Sequence, residues 1–277
     1  MMAKLAVAQM VSGECVDTNL ETVEFLAEEA ANSGAQLLLL PENFALLDSR
    51  AVIDLARDEV KTQRIHSLLS LLAKKYNLWI VAGSVPVLTQ GADEVKDKVW
   101  ASCLVFDNQG SLAASYNKVH LFDVDVADAH ASYRESDFIQ AGSGLVTVDT
   151  PFGSIGLAIC YDLRFPEQFQ KLRQMGAEII TVPSAFTYVT GEAHWEVLLR
   201  ARAIETQCYV LAANQGGEHS PSRKSWGHSM IVDPWGEVLA VREPAGKGLV
   251  LADIDLKDVQ DRRDAMPVIQ HRSKAGF

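Results

Sequence analysis

The stretch Gly34-Ala35-Gln36-Leu37-Leu38-Leu39-Leu40-Pro41-Glu42-Asn43-Phe44 returns later in the chain as Gly176-Ala177-Glu178-Ile179-Ile180-Thr181-Val182-Pro183-Ser184-Ala185-Phe186, with Gly-Ala, a mainly apolar run, Pro and Phe at identical spacing. Consecutive leucines with no polar alternation suit a strand covered on both faces, and Pro41-Glu42 ends it. A second echo lies downstream: Trp100, Asp107 and Gly110 return, again at identical spacing, as Trp226, Asp233 and Gly236. Two halves that repeat strand, helix, strand, helix, strand, hairpin call for two similar sheets stacked face to face with helices outside both. The expected fold is therefore α/β: a four-layer αββα sandwich of two mixed sheets, built from pseudo-duplicated halves.

A chain of 277 residues with 48% hydrophobic content buries a sizeable core. No Pro/Gly/Ser-rich linker or like-charge block interrupts it, so residues 1–277 are expected to form a single domain. The net charge of −11 argues against nucleic acid and anionic membranes as partners, because both select basic surfaces. An anionic small substrate would need a local basic pocket. No segment approaches the ~18 apolar residues of a membrane helix, and Met1 to Met10 reads as a first strand rather than a signal peptide. Cys15, Cys103, Cys160 and Cys208 are widely separated and form no C-x-x-C. Neither a zinc site nor a disulfide framework is indicated, and a cytoplasmic location is expected.

Periodicity predicts strands over 4–9, 37–40, 79–83, 100–106, 111–115, 145–148, 178–182, 209–213, 230–232, 237–241 and 249–254, with a further strand ending at Cys160. Helices are expected from a cap at Asp17 or Thr18 to Asn32, then over 60–76, 166–175 and 193–207. The region 118–144 is polar and long, and long ordered loops are usually functional.

The stretch Gly153-Ser-Ile-Gly-Leu-Ala-Ile-Cys-Tyr-Asp-Leu-Arg-Phe-Pro166 places Cys160 where a strand hands over to a helix able to accept Pro166 in its first turn. Strand-to-helix junctions at carboxyl ends of strands are where α/β proteins carry reactive groups. Taken alone, a cysteine after Leu-Ala-Ile is more simply inert core. Cys160 to Glu167, however, resembles the nucleophile motif of the nitrilase superfamily of carbon–nitrogen hydrolases. Leu37 to Asn43 resembles the segment carrying its glutamate base, here Glu42, and Tyr116 to Phe122 the segment carrying its lysine, here Lys118. The likeness covers essentially the whole chain; Gly191 to Gln207 and Trp226 to Gly236 resemble the Nit branch of amidases.

The resemblance implies the same four-layer fold and a cofactor-free, metal-free amidase. Glu42 would take the thiol proton, Cys160 would attack the amide carbonyl, and Lys118 with the backbone N–H of Tyr161 would hold the oxyanion. Glu135 matches the superfamily's second glutamate, which orients the lysine. Alternatives stand beside this reading. A true nitrilase typically has Cys-Trp where this chain has Cys160-Tyr161, and the N-carbamoyl hydrolase motif places Arg164 differently. A silent binding scaffold would have no reason to keep all four polar residues. The acidic and histidine cluster of His120, Asp123, Asp125, Asp128 and His130 fits no metal-ligand spacing and reads as a solvated loop. A papain-like partnership of Cys160 with His120 or His194 is conceivable, but His194-Trp195 is expected to open a helix. Arg164 and Glu167 are expected to form an ion pair.

For substrate, Arg200 to Val210 and Ser225 to Gly236 resemble the Nit amidases that hydrolyse deaminated glutathione more than the ω-amidases that act on 2-oxoglutaramate. Either anionic amide needs positive charge, for which Arg223 or Lys224 is expected, with Thr187 and Tyr188 lining the pocket. The resemblance also implies a homodimer, paired through the helices carrying Phe165, Phe169, Trp195 and Leu198, with the tail 267–277 reaching the partner.

Overall fold

The computed structural model describes residues 2–48, 50–89, 98–128, 131–221 and 223–274. The first half runs β1 (Met2–Gln9), α1 (Val16–Asn32), β2 (Leu37–Leu40), α2 (Val52–Thr62), α3 (Arg64–Tyr76), β3 (Trp79–Leu88), β4 (Val99–Phe106) and β5 (Leu112–Asn117). A small hairpin, β6 (Asp123–Asp125) and β7 (Ser132–Arg134), links it to the second half. That half runs β8 (Thr147–Thr150), β9 (Gly153–Leu157), α4 (Pro166–Gln174), β10 (Ile179–Thr181), α5 (Tyr188–Thr206) and β11 (Tyr209–Ala212). It continues with β12 (Gly216–Ser220), β13 (Arg223–Trp226), β14 (Met230–Val232) and β15 (Val238–Val241). β16 (Gly248–Asp255), α6 (Leu256–Ala265) and α7 (Val268–Lys274) follow.

Two six-stranded sheets result, with orders β16-β1-β2-β3-β4-β5 and β15-β14-β11-β10-β9-β8. Each has three parallel strands, an antiparallel hairpin on one side and an antiparallel edge strand on the other. This is the expected pair of mixed sheets. The leucines of β2 explain the layering. Leu37 and Leu39 enter the core shared with Ile155, Leu157 and Ile180 of the second sheet. Leu38 and Leu40 face the other way, onto Val23 and Leu26 of α1 and Leu69 of α3. Alternate side chains of a strand point to opposite faces, so an unbroken apolar run is what a sheet between two covering layers requires. Each leucine buried this way contributes roughly 1.5–3 kcal/mol.

The echoes fall on equivalent elements. Asp107 and Asp233 close the two hairpins in the same way: each Oδ1 accepts from two backbone N–H groups, those of Gln109 and Ser111 in one and of Trp235 and Glu237 in the other. Gly110 (φ +81°) and Gly236 (φ +87°) supply the left-handed residue each turn needs. The symmetry breaks at the tryptophans. Trp100 lies in β4 of the main sheet, whereas Gly227 and His228, both at positive φ, divert Trp226 into the separate β12–β13 hairpin.

Several boundaries differ from expectation. α1 begins at Val16 with Cys15 at its N-cap, so Asp17 and Thr18 lie in its first turn instead of capping it. The helix expected over 60–76 is two helices broken at Gln63 (φ +49°), where the Glu59 carboxylate accepts from the N–H groups of Ile65 and His66 and so caps the second. α5 starts at Tyr188, and His194-Trp195 therefore sits inside it. The β12–β13 hairpin and the helices α2, α6 and α7 were not expected. Glu218-His219-Ser220 and Arg223-Lys224-Ser225 show no apolar alternation to mark strands. No helix among the described residues is long and apolar enough to cross a membrane.

Candidate active site

The ends of β2, β5, β9 and β10 meet at a cavity of about 620 Å³. Glu42 follows β2, Lys118 follows β5 directly, and Cys160 follows β9 at the start of a 3-10 turn, Cys160–Arg164. Cys160 has φ +47°, a left-handed conformation that a non-glycine residue keeps only when its surroundings hold it. Its N–H donates to Pro183 O at 2.9 Å, tying the turn to the end of β10. Pro166 then opens α4 at a position where no N–H is missed.

The expected polar residues come together. Lys118 Nζ donates to Glu42 Oε1 at 2.8 Å and to both oxygens of Glu135, at 2.9 and 2.8 Å. Glu42 Oε2 accepts from Ala185 N at 2.9 Å, and Glu135 Oε2 from Phe122 N at 2.7 Å. Lys118 and Glu42 are buried; the Glu135 side chain keeps 20% of its exposure. Glu42 lies beside the Cys160 thiol and disfavours its ionisation.

Charge counting explains the protonation states. Burial opposes the Lys118 charge, but Glu135 and Glu42 outweigh it and hold the ammonium well above the usual lysine range. Burial raises the Glu135 carboxyl, with Lys118 pulling it down and Glu42 pushing it up. A thiolate placed beside Glu42 and away from solvent is unfavourable. Burial first, and then Glu42, hold the Cys160 thiol well above its ordinary value against the pull of Lys118 and the Ala185 N–H. Cys160 is thus held as a neutral thiol at rest, with Glu42 beside it.

The wall residues divide. Tyr161 lines the cavity, its ring edge-on to Phe122 and Phe165. Thr187 lines it too, its hydroxyl 2.8 Å from that of Thr190. Arg223 and Lys224 reach the mouth on β13. Lys224 is occupied, with Nζ 3.5 Å from Glu218 and 4.8 Å above the Tyr188 ring. Tyr188 packs under Lys224 and edge-on to Trp226, and does not line the cavity: the earlier start of α5 turns it away. Arg164 lies with its guanidinium 5.3 Å from the Phe186 ring and 3.3 Å from His194 Nδ1, facing the cavity instead of pairing with Glu167. Arg164 and Arg223 have no carboxylate partner among the described residues.

Of the acidic and histidine cluster, the described aspartates each have a protein partner. Asp123 accepts from Ser136 N, Asp125 binds Arg134 and Asp128 binds Tyr133, while His130 lies outside the described residues. Among the described residues no three His, Cys, Asp or Glu side chains are arranged to hold a metal. His120 pairs with Asp162 at 2.8 Å, and His194 with Arg164, so both histidines are engaged away from the thiol. Sequence reasoning passed over Asp162, although an acid inside Ile159-Cys-Tyr-Asp-Leu163 has to find partners if it is buried. His219 was also missed; it lines the cavity between Ser12 O and Ser225 Oγ, and burial lowers it to about 4.

Comparison with known proteins gives concordant results. The profile of the family described as Carbon-nitrogen hydrolase matches residues 4–264. The chain is 45% identical over 269 residues to a deaminated glutathione amidase of Yersinia enterocolitica, covering 97% of this chain and 92% of that one. Among solved structures, the NitFhit protein of C. elegans superposes with a TM-score of 0.89 at 39% identity, covering 100% of this chain and 66% of that longer one. An amidase from Nesterenkonia sp. AN1, a mutant of which shows Michael addition of acrylamide at the active site cysteine, superposes with a TM-score of 0.76 at 25% identity, covering 98% and 99% of the two chains.

Proposed function

The chain belongs to the carbon–nitrogen hydrolase family, and from that premise we propose that it is a thiol amidase with deaminated glutathione as substrate. The observation that carries the reading is the buried contact of Lys118 with Glu42 and Glu135 beside the Cys160 thiol. Glu42 accepts the thiol proton as Sγ bonds to the amide carbon, because a free thiolate is disfavoured there. The carbonyl oxygen becomes an oxyanion that Lys118 Nζ and the Tyr161 N–H stabilise, each such donor being worth about 3 kcal/mol. Glu42 passes the proton to the leaving nitrogen, the amine departs, as cysteinylglycine from deaminated glutathione, and a thioester remains. Water then gives a proton to Glu42 and its hydroxide to the thioester carbon, the C–S bond breaks, and the thiol recovers that proton. Glu135 holds Lys118 in place.

The substrate assignment draws on the relative from Yersinia and on the charge of the mouth. Arg164 and Arg223 face the cavity without acidic partners in a chain of net charge −11. The N-terminus of the 19-residue α5, where Thr187 and Thr190 line the wall, adds positive potential. Guanidinium groups at separate points suit a long substrate with more than one carboxylate. The deciding measurement is kcat/KM for deaminated glutathione, 2-oxoglutaramate, an aliphatic amide, a nitrile and an N-carbamoyl amino acid under one condition. Preference for 2-oxoglutaramate would overturn the substrate and leave the mechanism; preference for the nitrile or carbamoyl compound would overturn both.

The same reading takes residues 1–277 as one domain, supported by the core that both sheets share. Free thiols at all four cysteines suit a reducing cytoplasm. It also takes the protein as a homodimer, with a revised surface. Phe169 and Trp195 are fully buried within the chain and offer a partner nothing. Val197 and Ile204 of α5 and the adjacent Trp235 are more than half exposed and form the better candidate face. Of the expected tail, α7 is helical and 275–277 lie outside the described residues. Light scattering showing a monomer at micromolar concentration overturns the dimer.

A further inference from the structure

Asp162 is fully buried, two residues after Cys160, and its carboxylate is the common acceptor for two separate segments of the site. Oδ2 accepts from Ile159 N at 2.8 Å, on the nucleophile's own turn, and from Tyr116 Oη at 2.6 Å. Oδ1 accepts from His120 N at 3.1 Å and lies 2.8 Å from His120 Nδ1. Tyr116 Oη in turn accepts from Val119 N at 3.2 Å and Gln168 Nε2 at 3.0 Å. The His120 ring stacks on Phe165, 3.6 Å away and 9° from parallel, which joins it to the far end of the same 3-10 turn. Residues 116, 119 and 120, which bracket Lys118, are therefore fastened to residues 159 and 162, which bracket Cys160.

We propose that Asp162, acting through Tyr116 and His120, is the positioning residue that fixes the Lys118 ammonium relative to the Cys160 thiol. Lys118 and Cys160 stand at the ends of strands in different sheets, β5 and β9. The sheets are also tied by polar contacts such as Ala185 N to Glu42 Oε2, and the Asp162 carboxylate is the tie that joins the segment around Lys118 to the turn of Cys160. The left-handed Cys160 needs an external hold. A buried carboxylate saturated with charge-assisted hydrogen bonds from both sides provides a rigid link, and a displacement of about 1 Å at a reacting centre costs on the order of 100-fold in rate. Asp162 does not line the cavity. Its action is on where the oxyanion donor stands when the nucleophile attacks.

The inference rests on the roles given above to Lys118 and Cys160, and the test separates the two. Asp162→Asn and Tyr116→Phe are measured for kcat and KM per competent site, the competent sites being counted by stoichiometric alkylation of Cys160 with acrylamide in a background lacking Cys15. For Asp162→Asn the expected result is a loss in kcat per site of about 100-fold with KM within about threefold; for Tyr116→Phe, which keeps the carboxylate, the loss is about tenfold. A purely structural role would lower the fraction of competent sites and the melting temperature while leaving kcat per site unchanged, and that outcome in a folded variant overturns the proposal. If Asp162→Asn fails to fold, Tyr116→Phe and His120→Gln decide by the same criterion. Activity retained in Cys160→Ala would overturn the underlying mechanism instead, whatever these variants do.

Discussion

Glu42 and Ala185 come from opposite halves of the duplicated chain, and the N–H of Ala185 donates to Glu42 Oε2 at 2.9 Å. The proposed base is thus oriented by the strand end that repeats its own. In the echo Ser184 stands where Glu42 stands, so one copy of the motif supplies the carboxylate and the other the backbone that aims it.

Glu42→Gln should fold normally, since a neutral amide fills the same space. Without a group to accept the thiol proton, kcat should fall by about 100- to 10,000-fold with a small change in KM. A change confined to KM would reassign Glu42 to binding.

Lys118→Met should cost stability as well as activity, because it leaves the buried Glu42 and the largely buried Glu135 facing each other. Breaking a buried pair this way costs about 3–5 kcal/mol, read from urea denaturation. Adding Glu135→Gln should restore part of the loss. An unchanged denaturation midpoint in the single variant would contradict the strength assigned to this contact.

The pH profile of kcat/KM should have an acid limb above the ordinary carboxylate range. Burial raises Glu135 against the pull of Lys118, with Glu42 raising it further, so activity is lost as pH falls through that raised value and regained above it. In Glu135→Gln the limb should move to lower pH. An acid limb that stays put assigns it elsewhere.

The four thiols should separate by reactivity. Cys15 is exposed, and the Thr18 hydroxyl holds it below the ordinary value, so iodoacetamide should label it first. Cys103, pushed up to about 12 by burial, and Cys208, also raised by burial, should react only after unfolding. Replacing Cys15, Cys103 or Cys208 should leave turnover intact, and mass-mapped loss of activity on modifying Cys208 alone would contradict a single nucleophile.

Arg223→Ala should raise KM for an anionic amide by about 10- to 150-fold, the range of one lost hydrogen bond to a charged group, while a neutral aliphatic amide is turned over as before. Equal losses on both substrates would give Arg223 a structural role.

Where a single strand or turn carries the chemistry, the chain can be read directly. Four leucines before Glu42 and the strand before Cys160 mark buried strands by their apolar runs, and the repeated Asp-x-x-Gly turns declare the duplication. The proposed nucleophile, base and lysine are nominated from these positions once the motif is seen. What local pattern does not encode is contact between distant segments. Asp162 looks like any acid until Tyr116 and His120 arrive from β5, and Tyr188 looks like a wall residue until α5 begins at it. Arg164 and Glu167 are spaced for a helical pair, yet Arg164 sits in the turn before α4, where the spacing does not apply.

The last strand of the chain completes its first sheet: β16 pairs along the whole length of β1. During synthesis, Leu5 to Ala8 therefore remain an unpaired apolar margin until β16 is made, while the second sheet already has all its described strands by Val241. A nascent or truncated product lacking residues 248–255 presents that margin to any other extended chain it meets, which makes the synthesis of β16, more than the formation of either half, the event that ends its exposure to aggregation and chaperone capture.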